Sequence, residues 1–332
     1  MNKKRVLAML LAGAMAGAMA AVMTVAHPLP AAATRSASYK VSVILKTLAA
    51  EYWQYVKSGA EDYASEHSDK VTVEVKGPSS ETAFDEMQNM IETDLSSGTY
   101  DGIVISPLQS DTAAQLVSGT KLPIVAIDTN FTAPEVKSFV GTGNEAAAKK
   151  GGEAAVEAAK AAGWTDIKCI EIAGVQGDQT NTARMNGYKA GVEEAGGTFL
   201  SDEVQYADAT ADRATTAMEA IMQTHPEGIA IICANNDDMA MAAARAAQGH
   251  DAYKNTIFLG FNGDRAACEA ILDGQMTMSV AQMAYEMGYK AVETMVQVLD
   301  GETVDEFVDS GSDVVTPDNA QERLDTLKTQ LH

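Results

Sequence analysis

Six polar side chains in this 332-residue chain stand where short apolar runs give out or a helix begins. Lys46 follows the run 41–45, and Asp128 follows Val125-Ala126-Ile127. Asn236, within Asn235-Asn236-Asp237-Asp238, follows Ile231-Ile232-Cys233-Ala234. Asn262 follows Leu259-Gly260-Phe261, and Gln282 follows Met278-Ser279-Val280-Ala281. Arg184 lies near a helix start after the loop 174–179. Arg offers a rigid fork of donors, Asp accepts from two hydroxyls at once, and Asn or Gln does both. That set suits a small, hydrogen-bonding ligand. It does not suit bond-making chemistry. No Gly-x-Ser-x-Gly elbow or Cys/His nucleophile signature is present, and His67, His225 and His250 match no zinc spacing. Asn235–Asp238 lacks the alternating oxygen ligands of a calcium loop. Gly141-Thr142-Gly143 lacks the strand, turn and later acid of a dinucleotide fingerprint.

The elements that must position these residues follow from the hydrophobic pattern. Apolar strand-like runs fall at 41–45, 71–75, 102–105, 123–127, 167–172, 228–233, 256–259 and 277–280. Helix-length segments fall at 52–66, 82–95, 111–118, 182–195, 211–223, 237–247, 265–272 and 285–299. Short apolar strands alternating with helices argue for an α/β fold with parallel sheets covered on both faces. About ten strands exceed a comfortable single open sheet, so two sheets of five or six are expected. In such sheets ligands sit just outside the carboxyl ends of the strands, where the six polar residues fall.

The N-terminus reads as an export signal. Asn2-Lys3-Lys4-Arg5 is a basic head, 6–26 is uncharged and apolar, and Ala31-Ala32-Ala33 is a small-residue cleavage site, so residues 1–33 are expected to be removed. The remaining residues are expected to form two domains. The net charge of −22 becomes still more negative once Lys3, Lys4 and Arg5 leave. Such a surface disfavours nucleic acid and anionic lipid, which are bound through basic patches. Of the three cysteines, Cys169 and Cys233 lie in apolar runs, so buried free thiols are expected, and one disulfide at most.

Several short motifs carry a family resemblance from about residue 38 to 301. They include Val43-Ile44-Leu45-Lys46, Tyr52-Trp53, Tyr100-Asp101-Gly102-Ile103, Ala183-Arg184-Met185-Asn186-Gly187, Ala234–Ala240, Gly260-Phe261-Asn262-Gly263 and Val280-Ala281-Gln282. In order and spacing they resemble the periplasmic monosaccharide-binding proteins of the ribose/galactose type, and within those the allose-binding group. The resemblance implies a type I periplasmic binding protein: two Rossmann-like lobes joined by a three-crossover hinge. It implies one lobe at 38–143 plus 283–308 and another at 144–282 plus 309–332. It implies that Tyr52 and Trp53 stack on a sugar ring, and that Lys46, Asp128, Arg184, Asn236, Asn262 and Gln282 hydrogen-bond its hydroxyls. A pyranose, with apolar C–H faces and a polar rim, suits that set.

The resemblance further implies a periplasmic monomer without cofactor or metal, not an enzyme. Its partners would be a small sugar or polyol, an ABC-transporter permease, and in a sensory role a chemoreceptor or sensor kinase. The alternative is a sugar-modifying enzyme of related fold, which would need a paired acid and base in the cleft. Three positions depart from the family pattern: Ala50-Glu51 replaces Asn-Pro, Ala209 replaces an aromatic, and Asn262 replaces Asp. These changes predict a roomier, less acidic cleft holding Lys46 and Arg184, with Asp128 as the one carboxylate carried over. Ketoses, polyols and sugar acids therefore join allose and ribose as expected ligands.

Overall fold

The computed structural model describes residues 38–331; the expected signal segment lies outside them. Hydrophobic strands of four to six residues, too short to cover themselves, are sealed by helices on both faces. The first sheet begins with β1 (Tyr39–Ile44) and β2 (Val71–Lys76), joined by α1 (Glu51–Glu66). Then come α2 (Phe84–Ser97), β3 (Gly102–Ile105), α3 (Ser110–Val117), β4 (Ile124–Ile127) and β5 (Val136–Gly141). With β12 (Phe307–Asp309) they form a parallel sheet in the order β12-β5-β4-β3-β1-β2. β3 and β4 are buried along their whole length, as interior parallel strands must be. The edge strand β2 alternates and keeps polar residues outside.

Successive side chains divide the core between the two faces. Val41, Val43 and Val104 pack with α1, while Ile44, Ile103 and Ile105 pack with α2 and α3. Closing the first face is α9 (Ala284–Leu299), which crosses α1 at very short range. A Cβ on Gly59 would stand 1.9 Å from the Tyr285 carbonyl oxygen, and one on Gly288 would stand 1.9 Å from that of Val56. Only glycine permits that approach.

The second sheet repeats the plan. It comprises α4 (Asn144–Ala161), β6 (Lys168–Ala173), α5 (Gln179–Glu194), β7 (Thr198–Phe199), β8 (Gln205–Tyr206), α6 (Ala211–Thr224), β9 (Ile231–Ala234) and α7 (Asp237–Ala247). It continues through β10 (Ile257–Asn262), α8 (Arg265–Leu272), β11 (Met278–Gln282), β13 (Ser312–Val315) and α10 (Ala320–Lys328). Its order is β13-β11-β10-β9-β6-β7, with β8 also on β6, and β13 alone is antiparallel. The chain passes between sheets three times: from β5 to α4, from β11 to α9, and from β12 to β13. This is the two-sheet α/β architecture expected from the pattern.

The structure adds elements the pattern did not locate. Helix α4 carries Gly151-Gly152 amid alanines, a weakly amphipathic stretch whose helix rests on packing against α5. Strands β7, β8 and β12 have two or three residues each, too few to show a period. Cys169, Cys233 and Cys268 are buried and free, as expected of the first two, whose Sγ atoms come to 3.2 Å.

Candidate functional site

All eight residues singled out from the sequence line one cavity at the carboxyl ends of both sheets. Lys46 lies just past β1, and Tyr52 and Trp53 open α1. Asp128 ends β4 with φ at 61°, a left-handed turn that Asp tolerates better than most residues. Arg184 lies in the second turn of α5, and Asn236 caps α7 by accepting from the Met239 N–H at 2.9 Å. Asn262 closes β10 with φ at 136°, and Gln282 closes β11. Ala50 and Ala209, two of the departures from the family pattern, also face the cavity, so the side chains they lack are missing from its wall.

The first sheet contributes an aromatic corner around a carboxylate. The Tyr52 and Trp53 rings meet edge to face with centroids 4.9 Å apart. The Tyr52 hydroxyl donates to Asp128 Oδ1 at 2.7 Å, and the Thr129 hydroxyl donates to Oδ2 at 3.0 Å. Burial, then the neighbouring Asp128 charge, pushes the Tyr52 phenol well above its ordinary pKa, so it remains a donor. Trp53 donates its indole N–H to Glu81 at 3.0 Å.

The second sheet contributes a guanidinium held by an aromatic face and two hydrogen bonds. The Arg184 guanidinium stacks on Phe261 at 3.8 Å from the ring centroid. Its Nε donates to Asn144 Oδ1 and one Nη to the Asn235 carbonyl, each at 2.8 Å. Gln282 is fully buried; its amide N–H donates to Asn262 Oδ1 at 2.9 Å, while its Oε1 is buried without a partner.

Lys46 does something the sequence did not foretell. It forms a buried ion pair with Asp178, the residue that caps α5 on the opposite sheet. Burial pulls the ammonium pKa down, but Asp178 and Asp128 outweigh it and hold it above the ordinary value. A second pair, Arg265 with Glu51 at 3.2 Å, crosses between the same halves. Thr129 and Thr180 add a hydroxyl contact of 2.7 Å across the same gap.

Sequence reasoning undercounted the carboxylates. Glu81, Asp178, Asp238 and Asp264 line the cavity beside Asp128, so five acids share it with Lys46 and Arg184 where the sequence reading named one. Desolvation raises the Glu81 pKa, and burial followed by Asp237 pushes Asp264 well up. Asp178 had a readable signal, an Asp three residues before Asn181 at a helix start. Glu81 had none, since it reaches the site from the loop before α2. Among the described residues no cluster of His, Cys, Asp or Glu fits a metal ion.

Comparison with known proteins agrees with this geometry. Residues 41–303 match the family model for the periplasmic binding protein domain. The D-allose-binding periplasmic protein of Escherichia coli is 30% identical over 270 residues, 78% of this chain and 84% of that protein. The ribose import binding protein of Salmonella typhimurium is 27% identical over 283 residues, 84% of this chain and 91% of that one. A carbohydrate-transporter solute-binding protein from Agrobacterium radiobacter, solved with D-arabinose, superposes with a TM-score of 0.79 at 24% identity. That likeness covers 90% of this chain and all of the other. The chain belongs to the periplasmic binding protein family: it is a binding protein and not an enzyme.

Proposed function

We propose that this protein captures a monosaccharide or a related polyol in the cavity between its two sheets and delivers it to an ABC importer from the periplasm. The observation that carries the reading is the cavity wall itself. An aromatic corner at Tyr52 and Trp53 faces a ring of planar polar groups from Asp128, Arg184, Asn236, Asn262 and Gln282. The unpartnered Gln282 Oε1 adds a buried acceptor that a ligand hydroxyl would satisfy. The ribose- and allose-binding names of the relatives support the same class. Lys46 acts here as a bridge to Asp178 more than as a ligand donor, because its ammonium is already engaged.

In this reading one lobe comprises 38–143 plus 283–308 and the other 144–282 plus 309–332. The ligand binds the closed arrangement better than the open one and so shifts the population toward closure. The closed monomer is what a permease recognises. A thermal-shift screen of aldoses, ketoses and polyols should find a ligand that raises the melting temperature. Calorimetry on Asp128→Ala and Arg184→Ala should then show binding lost while both variants still fold. No shift with any sugar, or micromolar affinity kept in both variants, would overturn the assignment.

A further inference from the structure

In the cavity wall the Lys46, Trp53 and Tyr52 donors each have a protein acceptor, while two buried acceptors lack a matching donor. The Lys46 ammonium is engaged by Asp178, the Trp53 N–H by Glu81 and the Tyr52 hydroxyl by Asp128. Arg184 gives Nε to Asn144 and one Nη to the Asn235 carbonyl, with its face against Phe261. Two acceptors stand spare beside one another. Gln282 Oε1 is buried without a partner. Asp264, only 9% exposed, receives at its side chain a single long contact, from Asn262 Nδ2 at 3.4 Å. Asn262 touches both, accepting from Gln282 through Oδ1 and reaching Asp264 through Nδ2, so the two flank one side chain.

The charges around Asp264 are mostly negative. Asp237 and Asp238 of α7 and Glu51 of α1 raise its pKa, after the larger effect of burial. Tyr55 of α1 faces it as a neutral phenol. Arg323 of α10 is the nearby cation, and it is occupied: it donates to the carbonyls of Gly263 and Gln282 and contacts the Met283 sulfur. Arg265 is paired with Glu51. A hydroxyl placed here would bring one donor together with acceptor lone pairs. An ammonium brings three donors, no acceptor and the missing positive charge.

We propose that the ligand carries an ammonium group and that Asp264 with Gln282 forms the subsite that takes it, so the preferred ligands are amino sugars or amino polyols. This rests on the reading that the cavity binds sugars, and it narrows that class to ligands that bring a cation to a cavity lined by five carboxylates. Ammonium docking stabilises ionised Asp264. Binding and Asp264 ionisation are therefore coupled, and affinity should fall at low pH as the carboxyl is protonated and at high pH as the ligand amine loses its charge.

Titration calorimetry on the mature chain at neutral pH would compare glucosamine, galactosamine and allosamine, each with its parent aldose and its N-acetyl derivative. For the ring that binds, the amine should be at least tenfold tighter than the parent, about 1.4 kcal/mol. Acetylation should remove the advantage, and Asp264→Asn should bring amine and parent level. A parent aldose that binds as tightly as its amine, or an amine preference that survives Asp264→Asn, overturns the subsite and leaves the sugar reading standing. Failure of all these compounds and of the wider sugar screen overturns both.

Discussion

Replacing Lys46 by Met separates closing the cleft from folding the lobes. Lys46 and Asp178 come from opposite sheets, and their side chains are only 6% and 7% exposed, so solvent screens the pair little. Removing one partner of a buried pair leaves an uncompensated charge, which costs about 3–5 kcal/mol. In the proposed open form Asp178 would return to water, so the penalty falls on closure and not on either lobe's core. At about 1.4 kcal/mol per tenfold, ligand affinity should weaken by roughly two to four orders of magnitude. Small-angle scattering of the variant should report the open dimensions at ligand concentrations that close the wild type, while its thermal midpoint without ligand changes little. The double variant Lys46→Met, Asp178→Leu removes both charges and should recover much of the closure, while losing about 1 kcal/mol of lobe stability with the α5 cap. A Lys46→Met protein that binds and compacts like wild type would refute a closing role for the pair.

Two further outcomes follow from the core. Gly59→Ala or Gly288→Ala forces a Cβ to 1.9 Å from a backbone carbonyl, so the α1–α9 contact must open; denaturant titration should show about 1–3 kcal/mol lost or more. Glu171 on β6 is fully buried, and desolvation outweighs the Asn235 side chain and the Arg184 charge to raise its pKa to about 8. A carboxyl with a raised folded pKa keeps its proton longer in the native state than in the unfolded one, so stability falls as pH rises from the unfolded value toward 8. Glu171→Gln should erase that decline, gaining on the order of a few kcal/mol over wild type near pH 9. Parallel pH–stability curves for the two proteins would contradict the assignment.

The parts of this molecule that were legible share a physical cause. Runs such as Ile231–Ala234 and Ile124–Ile127 are buried on both faces, and a doubly covered strand must be apolar throughout. Once those runs are placed, the polar residue after each is placed too, which is why Asp128, Asn236, Asn262 and Gln282 could be picked out. Asp264 follows from no strand end, because it points into the cavity only after the turn at Asn262-Gly263. Glu81 belongs to a loop whose path is set by tertiary contact. The function of Lys46 was invisible for another reason. An ion pair joining residues 132 positions apart depends on how two sheets face each other, and no local pattern records that.

The same cavity is where the backbone is least relaxed. Of four described non-glycine residues with positive φ, Asp128, Ala209 and Asn262 line it, and Asp208 adjoins them. Asp128 enters the left-handed region with moderate penalty, but Ala209, at φ 59°, has no side-chain group to compensate. Its carbonyl accepts from the Asn236 amide at 3.3 Å, so the strained turn helps to orient a cavity residue that also caps α7. Strain of this kind persists where the surrounding fold over-determines it. Ala209→Gly should therefore stabilise the protein by about 1 kcal/mol, because glycine adopts that conformation freely. It should also loosen Asn236 and weaken ligand binding. Denaturant titration and calorimetry on the one variant read both effects. Loss of stability, or gain of stability with unchanged affinity, would show that the turn is not holding the site in place.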